Sequence, residues 1–539
     1  MAGLTFMGGT RTVTGSSYLL ELKDLKIVVD CGLFQGKREI RMRNYRNMPI
    51  APSEVDVLLL THAHIDHSGL LPRFCKQGFK GKIITTTATR DLCTVMLPDS
   101  GHIQEMETEY DNRKALRRGE KALEPLYTAQ DGLDCLKLFK GIRYDEVINL
   151  NENVRVKFRD AGHILGSAIL EIWVKENGKE FKIVFSGDLG KKNTPIINDP
   201  SIIDDADFLL IESTYGNRLH EPIADQKAKL AQIINRTIQQ GGNVVIPAFA
   251  VERTQEILYF LNEMLNAGQI PKVPVFVDSP LAISATEIFM HHRDYYDADL
   301  SKLVNAGKKI FDFPGTVFTH TADESKQINE TPGSKIIISA NGMADAGRIK
   351  HHLKHNLWRP ESTIIFVGYQ AEGTMGRRLV EGEKKVKLMG ETINVAAGIE
   401  SLQGFSAHAD QKGLLEFIGN FTQKPKRIFV VHGELESSLT LSSMIENKFG
   451  LETIVPYPDE VYELTLEGSH LEKHSMPGKQ EDMGKRALLA IVHLEKKLDD
   501  LKEDILVSGG SVDEFEEFEK MVEELEGKVA DFGRVIIRK

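Results

Sequence analysis

The stretch THAHIDHSG at 61–69 constrains this 539-residue chain more than any other segment. It follows the apolar run VDVLLL, which reads as a strand, so one extended turn beyond it can aim His62 and His64 the same way. Asp66 and His67 come next, where a helix begins. Three histidines and a carboxylate within positions 62–67 form a borderline-soft ligand set of the kind that suits Zn2+. Such a set needs a rigid sheet behind it.

LKIVVDCG, GKIITTT, FKIVFSGD and ADFLLIEST are further short, β-branched strands, and Asp30, Asp188 and Glu212 stand at the ends of three of them. His163 lies in RDAGHILGSAIL, where the flanking glycines allow close backbone approach. Read alone, His163 or Asp188 is as well explained by a turn or a cap. Read with 61–69, they complete two metal sites that share a bridging carboxylate. Two metals roughly 3.5–4 Å apart can hold a hydroxide and stabilise both oxygens of an in-line phosphoryl displacement.

From about 214 the pattern becomes helix–strand alternation, as in QKAKLAQIINRTIQQGG followed by NVVIP, which implies a second α/β unit with a largely parallel sheet. From 396 the strand-and-site character returns in NVAAGIESLQGFSAHAD and KRIFVVHGE. The chain therefore reads as a first domain over 1–213, an inserted domain over 214–395, a return segment over 396–466 and an amphipathic helical hairpin over 478–539. Packing or oligomerisation is the economical role for that hairpin, which leaves a homodimer or a docking tail open.

Composition excludes several classes. With 41% hydrophobic and 27% charged residues the chain is neither disordered nor collagen-like. It has no run of about 18 apolar residues and no basic n-region before an apolar stretch, so it reads as a cytoplasmic protein without signal peptide or membrane span. Its 4 cysteines include no C-x-x-C pair and read as reduced thiols. Net charge is −11, of which residues 479–539 carry −5 (16 acidic, 11 basic), so the body is nearly balanced and leaves room for a local basic groove.

The HxHxDH motif with the later His163 and Asp188 resembles the metallo-β-lactamase fold. IEST (211–214), IPAFAVERTQE (246–256), SANGMADAGR (339–348), GYQAEGTMGRR (368–378), GFSAHAD (404–410) and VVHGE (430–434) narrow the resemblance to the β-CASP RNA-processing nucleases, the branch of the cleavage and polyadenylation endonuclease and RNase J. It covers roughly residues 1–465. With no RNA-binding module before the first strand, it looks closest to the stand-alone prokaryotic members. The resemblance implies an αββα sandwich with an inserted β-CASP α/β domain, the helical hairpin lying outside the shared core.

Carried over by position, the resemblance implies that His62, His64 and His163 bind one zinc and Asp66, His67 and His432 the second, with Asp188 bridging. It makes Asp30 the carboxylate that orients ligand histidines, His408 the acid that protonates the leaving oxygen, and Glu212 the group that positions His408. Arg348, Gly373, Thr374, Arg377 and Arg378 are expected substrate contacts, with Arg253 a further candidate. KREIRMRNYRN at 37–47 could face RNA, although a solvated face is the more economical view.

The leading expectation is a two-zinc ribonuclease that cleaves single-stranded RNA to 5′-phosphate and 3′-hydroxyl ends, with Mn2+ an alternative metal. A DNA nuclease of the same fold is one alternative; the DNA-repair members of the family typically lack the last ligand, present here as His432. A non-catalytic scaffold is the other, and such proteins lose ligands that this chain keeps.

Overall fold

The computed structural model describes residues 2–473 apart from residues 120, 177, 369, 371, 372 and 466. The hairpin expected over 478–539 lies outside the described residues. Two large sheets face each other. One has eight strands in the order Gly468–Lys473, Val461–Thr465, Ala2–Gly8, Ser17–Leu22, Leu25–Val29, Val57–Leu59, Lys82–Thr86 and Phe139–Ile142. The other has seven, in the order Thr453–Ile454, Arg427–Val431, Phe208–Glu212, Lys179–Phe185, Ala168–Glu176, Val154–Asp160 and Val147–Asn149. Each sheet is antiparallel at one end and parallel at the other.

Alternating side chains of these strands interlock between the sheets. Leu4, Phe6, Ile27, Leu59 and Ile84 from the first meet Phe158, Leu170, Ile183, Phe185, Leu210 and Phe429 from the second in one buried core. Their outer faces are covered by helices: Leu71–Lys76 and Thr87–Arg117 on one side, Gln411–Gly419 and Leu435–Phe449 on the other. The layers are α, β, β, α.

The third sheet has six strands, all parallel, in the order Thr316–Phe318, Val275–Val277, Ile336–Ser339, Val244–Pro247, Thr363–Phe366 and Gly398–Ser401. Its central strands are buried throughout, because helices cover both faces. Ser279 caps Pro280–His291 and Pro280 occupies the first turn, where its missing N–H is not needed. The carboxyl ends of a parallel sheet lie along one edge, and from that edge spring the segments 248–253, 340–348 and 402–410. Gly398–Ser401 belongs to this sheet by parallel pairing with Thr363–Phe366, although it lies beyond residue 395, the boundary expected from the sequence. Four residues of GIES suit either sheet, and only pairing decides.

Thr87–Arg117, 31 residues long, is absent from the sequence reading. Its buried positions run from Ala88 to Gly101 and then stop until Ala115, so most of its second half lacks an apolar stripe. No helix among the described residues is long and apolar enough to cross a membrane.

Candidate metal centre

The centre forms at strand ends, where side chains are aimed by backbone that cannot shift. After Val57–Leu59 the chain crosses as Thr61–His64 and turns into the short helix Ile65–Ser68, which carries Asp66 and His67. Asp188 lies just beyond Lys179–Phe185, and His163 lies in the loop joining Val154–Asp160 to Ala168–Glu176. These last two segments touch backbone to backbone: a Cβ on Gly190 would lie 1.6 Å from the Gly162 carbonyl oxygen. Glycine at 190 is what lets the Asp188 and His163 loops meet.

Asp188 divides its two oxygens between two sets of imidazoles. Oδ2 lies 3.4 Å from His62 Nε2 and 3.6 Å from His163 Nε2. Oδ1 lies 3.2 Å from His67 Nε2 and 3.5 Å from His432 Nε2. His64 Nδ1 is 3.2 Å from both His62 Nε2 and His163 Nε2, and Asp66 Oδ2 is 4.0 Å from His432 Nε2. His62, His64, His163 and Asp188 thus form one donor group, and Asp66, His67 and His432 the adjacent one.

This donor set fits a pair of divalent cations. The facing atoms His67 Nε2 and Asp188 Oδ1 are buried without a well-formed hydrogen bond, an arrangement that a cation between them satisfies once the His67 Nε2 proton has left. Burial, reinforced by neighbouring imidazoles, pushes His64 and His163 well below the usual histidine value, and burial takes His432 down to about 3. Those rings are neutral and have a lone pair to give. Burial also depresses His67, but the charges of Asp188 and Asp30 outweigh it and hold the ring protonated; a bound cation must displace that proton.

A second ring of residues aims the imidazoles. His67 Nδ1 donates to Asp30 Oδ2 at 2.7 Å, so Nε2 faces the centre. Asp30 has φ 59 and accepts from Thr61 N at 2.8 Å and Thr61 Oγ1 at 2.9 Å; that hydroxyl in turn lies 3.0 Å from His62 Nδ1. Ser16 Oγ lies 2.7 Å from His432 Nδ1, and His432 has φ 44. Strained non-glycine backbone at both Asp30 and His432 is the kind that persists at functional sites. Neither Ser16 nor Thr61 was picked out from sequence, because a serine or threonine near a motif carries no signal until the ring it touches is in place.

His408 completes the group. Gly190 pairs with it as an isolated antiparallel bridge, and Ala409 N donates to Leu189 O at 2.7 Å, which sets the ring beside Asp188. His408 Nδ1 is 3.1 Å from Glu212 Oε1 and 4.0 Å from Asp188 Oδ2. Burial lowers this imidazole, but the Glu212 charge and hydrogen bond outweigh it and bring it up to about 9. Glu212 is itself pinned by the Leu189 amide at 2.7 Å and the Thr214 amide at 3.3 Å. A protonated imidazole beside two cation sites can deliver a proton to a departing oxygen.

All ten residues expected in the metal and proton-transfer groups therefore come together, whereas the expected substrate contacts lie in the inserted domain, before and within its helices. There Arg348 is drawn inward, donating to Asp278 Oδ1 at 2.8 Å and to the carbonyls of Thr319 and His320. Arg377 pairs with Glu381 at 2.6 Å, and Arg378 makes two bonds of 2.6 Å to Glu383. Thr374 caps the helix Met375–Val380, and Gly373 precedes it with φ 85. Arg253 is buried against Glu256. By contrast, Arg38, Arg41 and Arg46 are exposed with no side-chain partner among the described residues, and Tyr45 between them is 54% exposed.

Comparison with known proteins identifies the family. The Metallo-beta-lactamase superfamily profile matches residues 10–105, the Beta-Casp domain profile 254–379, and the Zn-dependent metallo-hydrolase RNA specificity domain profile 392–456. Ribonuclease TTHA0252 of Thermus thermophilus is 35% identical over 81% of this chain and 94% of its own length. An RNase J-like protein of Methanocaldococcus jannaschii is 33% identical over 85% and 98%. Transcription termination factor FttA of Methanosarcina mazei is 31% identical over 84% and 70%.

Proposed function

From its membership of the β-CASP branch of the metallo-β-lactamase superfamily, to which this chain belongs as a metal-dependent hydrolase, we propose that it is a two-zinc ribonuclease cutting single-stranded RNA to 5′-phosphate and 3′-hydroxyl ends. The observation that carries this reading is Asp188, straddling two imidazole sets with His408 alongside. The RNA-specificity match at 392–456 and the relative named a ribonuclease favour RNA over DNA.

His62, His64, His163 and Asp188 would hold one cation, and Asp66, His67, His432 and Asp188 the other. When bound, the cations supply Lewis-acid stabilisation of the phosphate and lower the pKa of the attacking water. The chain's own residues do the rest. Asp30, Thr61 and Ser16 keep the ring nitrogens turned inward. Glu212 occupies His408 Nδ1 and keeps the ring charged, leaving Nε2 to protonate the departing 3′ oxygen.

Arg38, Arg41 and Arg46, exposed and without a side-chain hydrogen bond or ion pair among the described residues, support an RNA path, since this run follows the segment of Asp30, beyond the strand Leu25–Val29. Exposed guanidinium groups with an interleaved tyrosine suit phosphates and an unstacked base.

The test uses internally labelled single-stranded RNA with either a 5′-monophosphate or a 5′ cap, with and without chelator. Internal cleavage of both RNAs, lost in Asp66→Ala and His408→Ala, establishes an endoribonuclease; mononucleotide release from the monophosphorylated RNA alone establishes a 5′ exonuclease. A folded, zinc-loaded wild type that cuts only DNA, or nothing, refutes the reading. The similarity to FttA over 84% of the chain favours a second role, cleavage of nascent RNA that ends transcription, read by termination on a stalled elongation complex.

A further inference from the structure

We propose that Glu252 is a positioning residue: from the third sheet it holds the loop that carries His163, and through that loop it sets the aim of the His163 ring at Asp188. The inference rests on the reading of His163 as a metal ligand.

The loop 161–167 satisfies most of its own amides. Ser167 Oγ accepts from His163 N at 3.1 Å and from Ile164 N at 3.2 Å. The Leu165 amide instead crosses to the inserted domain and donates to Glu252 Oε2 at 3.1 Å. His62, His67 and His432 each have Nδ1 tied by a neighbour, whereas His163 Nδ1 is buried with no hydrogen-bond partner. No side-chain bond at Nδ1 orients the His163 ring, so its direction depends on how firmly its loop is held.

Glu252 occupies a costly position. Its backbone has φ 67 and ψ −58, and Arg253 N donates to Val251 O at 2.9 Å across it. That is a γ-turn of the rare, strained hand, which glycine adopts at less cost. Its side chain is also buried, with the residue 6% exposed. A strained turn and a buried carboxyl at one residue need a compensating contact, and the hydrogen bond that the Glu252 carboxyl makes is the one from the Leu165 amide. The turn sits between the strand Val244–Pro247 and the helix Arg253–Asn266, so this bond ties the inserted sheet to the loop that carries His163, as the 402–410 segment ties it to the segment that carries Asp188.

Two substitutions separate positioning from a turn role. Glu252→Gly relieves the strain and removes the acceptor; Glu252→Gln keeps an acceptor oxygen. The full-length, metal-stripped protein is followed by hydrogen exchange of the peptide containing Leu165, by thermal melting, and by zinc titration against a chromophoric chelator. The Gly variant is expected to melt no lower than wild type, to exchange the Leu165 amide about tenfold faster, and to bind zinc at the His62–His64–His163 group about 10–100-fold more weakly. The Gln variant is expected to stay within about threefold of wild type in both readouts, because its carbonyl still accepts. Wild-type exchange and affinity in the Gly variant would overturn the proposal, as would a Gln variant as impaired as Gly. Neither readout uses RNA, so a wild type that binds zinc and cuts no RNA refutes the proposed substrate and not this role.

Discussion

Glu212 Oε1 lies 3.1 Å from His408 Nδ1 and also accepts the Leu189 amide at 2.7 Å, so one fully buried oxygen ties the imidazole to the segment that bears Asp188. The pair binds the proton donor to the metal centre as one rigid unit. Its charge makes the first prediction a matter of sign. Burial pulls His408 down, the Glu212 carboxylate outweighs it, and the ring titrates at about 9. A general acid works protonated, so cleavage falls as pH rises through the His408 value. Glu212→Gln removes the charge and moves that alkaline limb to lower pH. His408→Ala costs about 10²–10⁴-fold and abolishes the limb. A pH–rate profile checks both; an unmoved limb in Glu212→Gln rules out this proton donor.

Asp30→Asn is expected to weaken one cation site selectively. The amide nitrogen would donate where His67 Nδ1 now donates at 2.7 Å, turning a protonated Nε2 toward the centre. Affinity at the Asp66–His67–His432 group should fall about 10–100-fold while the other group changes less. Zinc competition curves should become biphasic. A uniform loss at both sites would contradict the assignment of Asp30 to His67.

Zinc loading should release protons. His67 is held charged by Asp188 and Asp30 in the metal-free chain, so binding displaces a proton and affinity rises with pH. Calorimetry in buffers of differing ionisation enthalpy measures the number released. Zinc at about 1,000 times its dissociation constant should add about 4 kcal/mol of stability, lost with chelator. Zero net proton release would show that His67 is not a ligand.

Arg41→Ala and Arg46→Ala together should weaken binding of single-stranded RNA and flatten its salt dependence. Each phosphate contact removed lowers the slope of log K against log salt by about 0.7. Tyr45→Ala should cost about 1–3 kcal/mol if a base stacks there. Filter binding in the His408→Ala background, where RNA stays intact, gives both numbers. An unchanged slope returns the 37–47 run to a solvated face.

Much of this protein is written locally. HxHxDH is a ligand set because four side chains within positions 62–67 share one strand-to-helix turn, and no distant residue is needed to see it. The runs around 25–29, 57–59, 179–185 and 208–212 show their strands by β-branched, apolar composition, and helix–strand alternation after 214 implied the parallel sheet. What stayed hidden depends on residues far apart in the chain. Ser16 reaches His432 across 416 positions, and Glu252 reaches Leu165 across 87. Pairing alone places Gly398–Ser401 in the third sheet, and the mostly polar second half of Thr87–Arg117 gave no periodicity to read. The expected arginine contacts found carboxylates for a related reason: whether a guanidinium meets a carboxylate or solvent depends on which segments the fold brings together, as Arg348 on the buried Asp278 and Arg378 on the surface Glu383 show. The candidate ligands at 62–67 are legible from side-chain chemistry and short spacing alone, so the sequence by itself determined that cluster; the gathering of His163, Asp188 and His432 around it, and the orientation of each ring, depend on contacts that exist only once the sheets have closed.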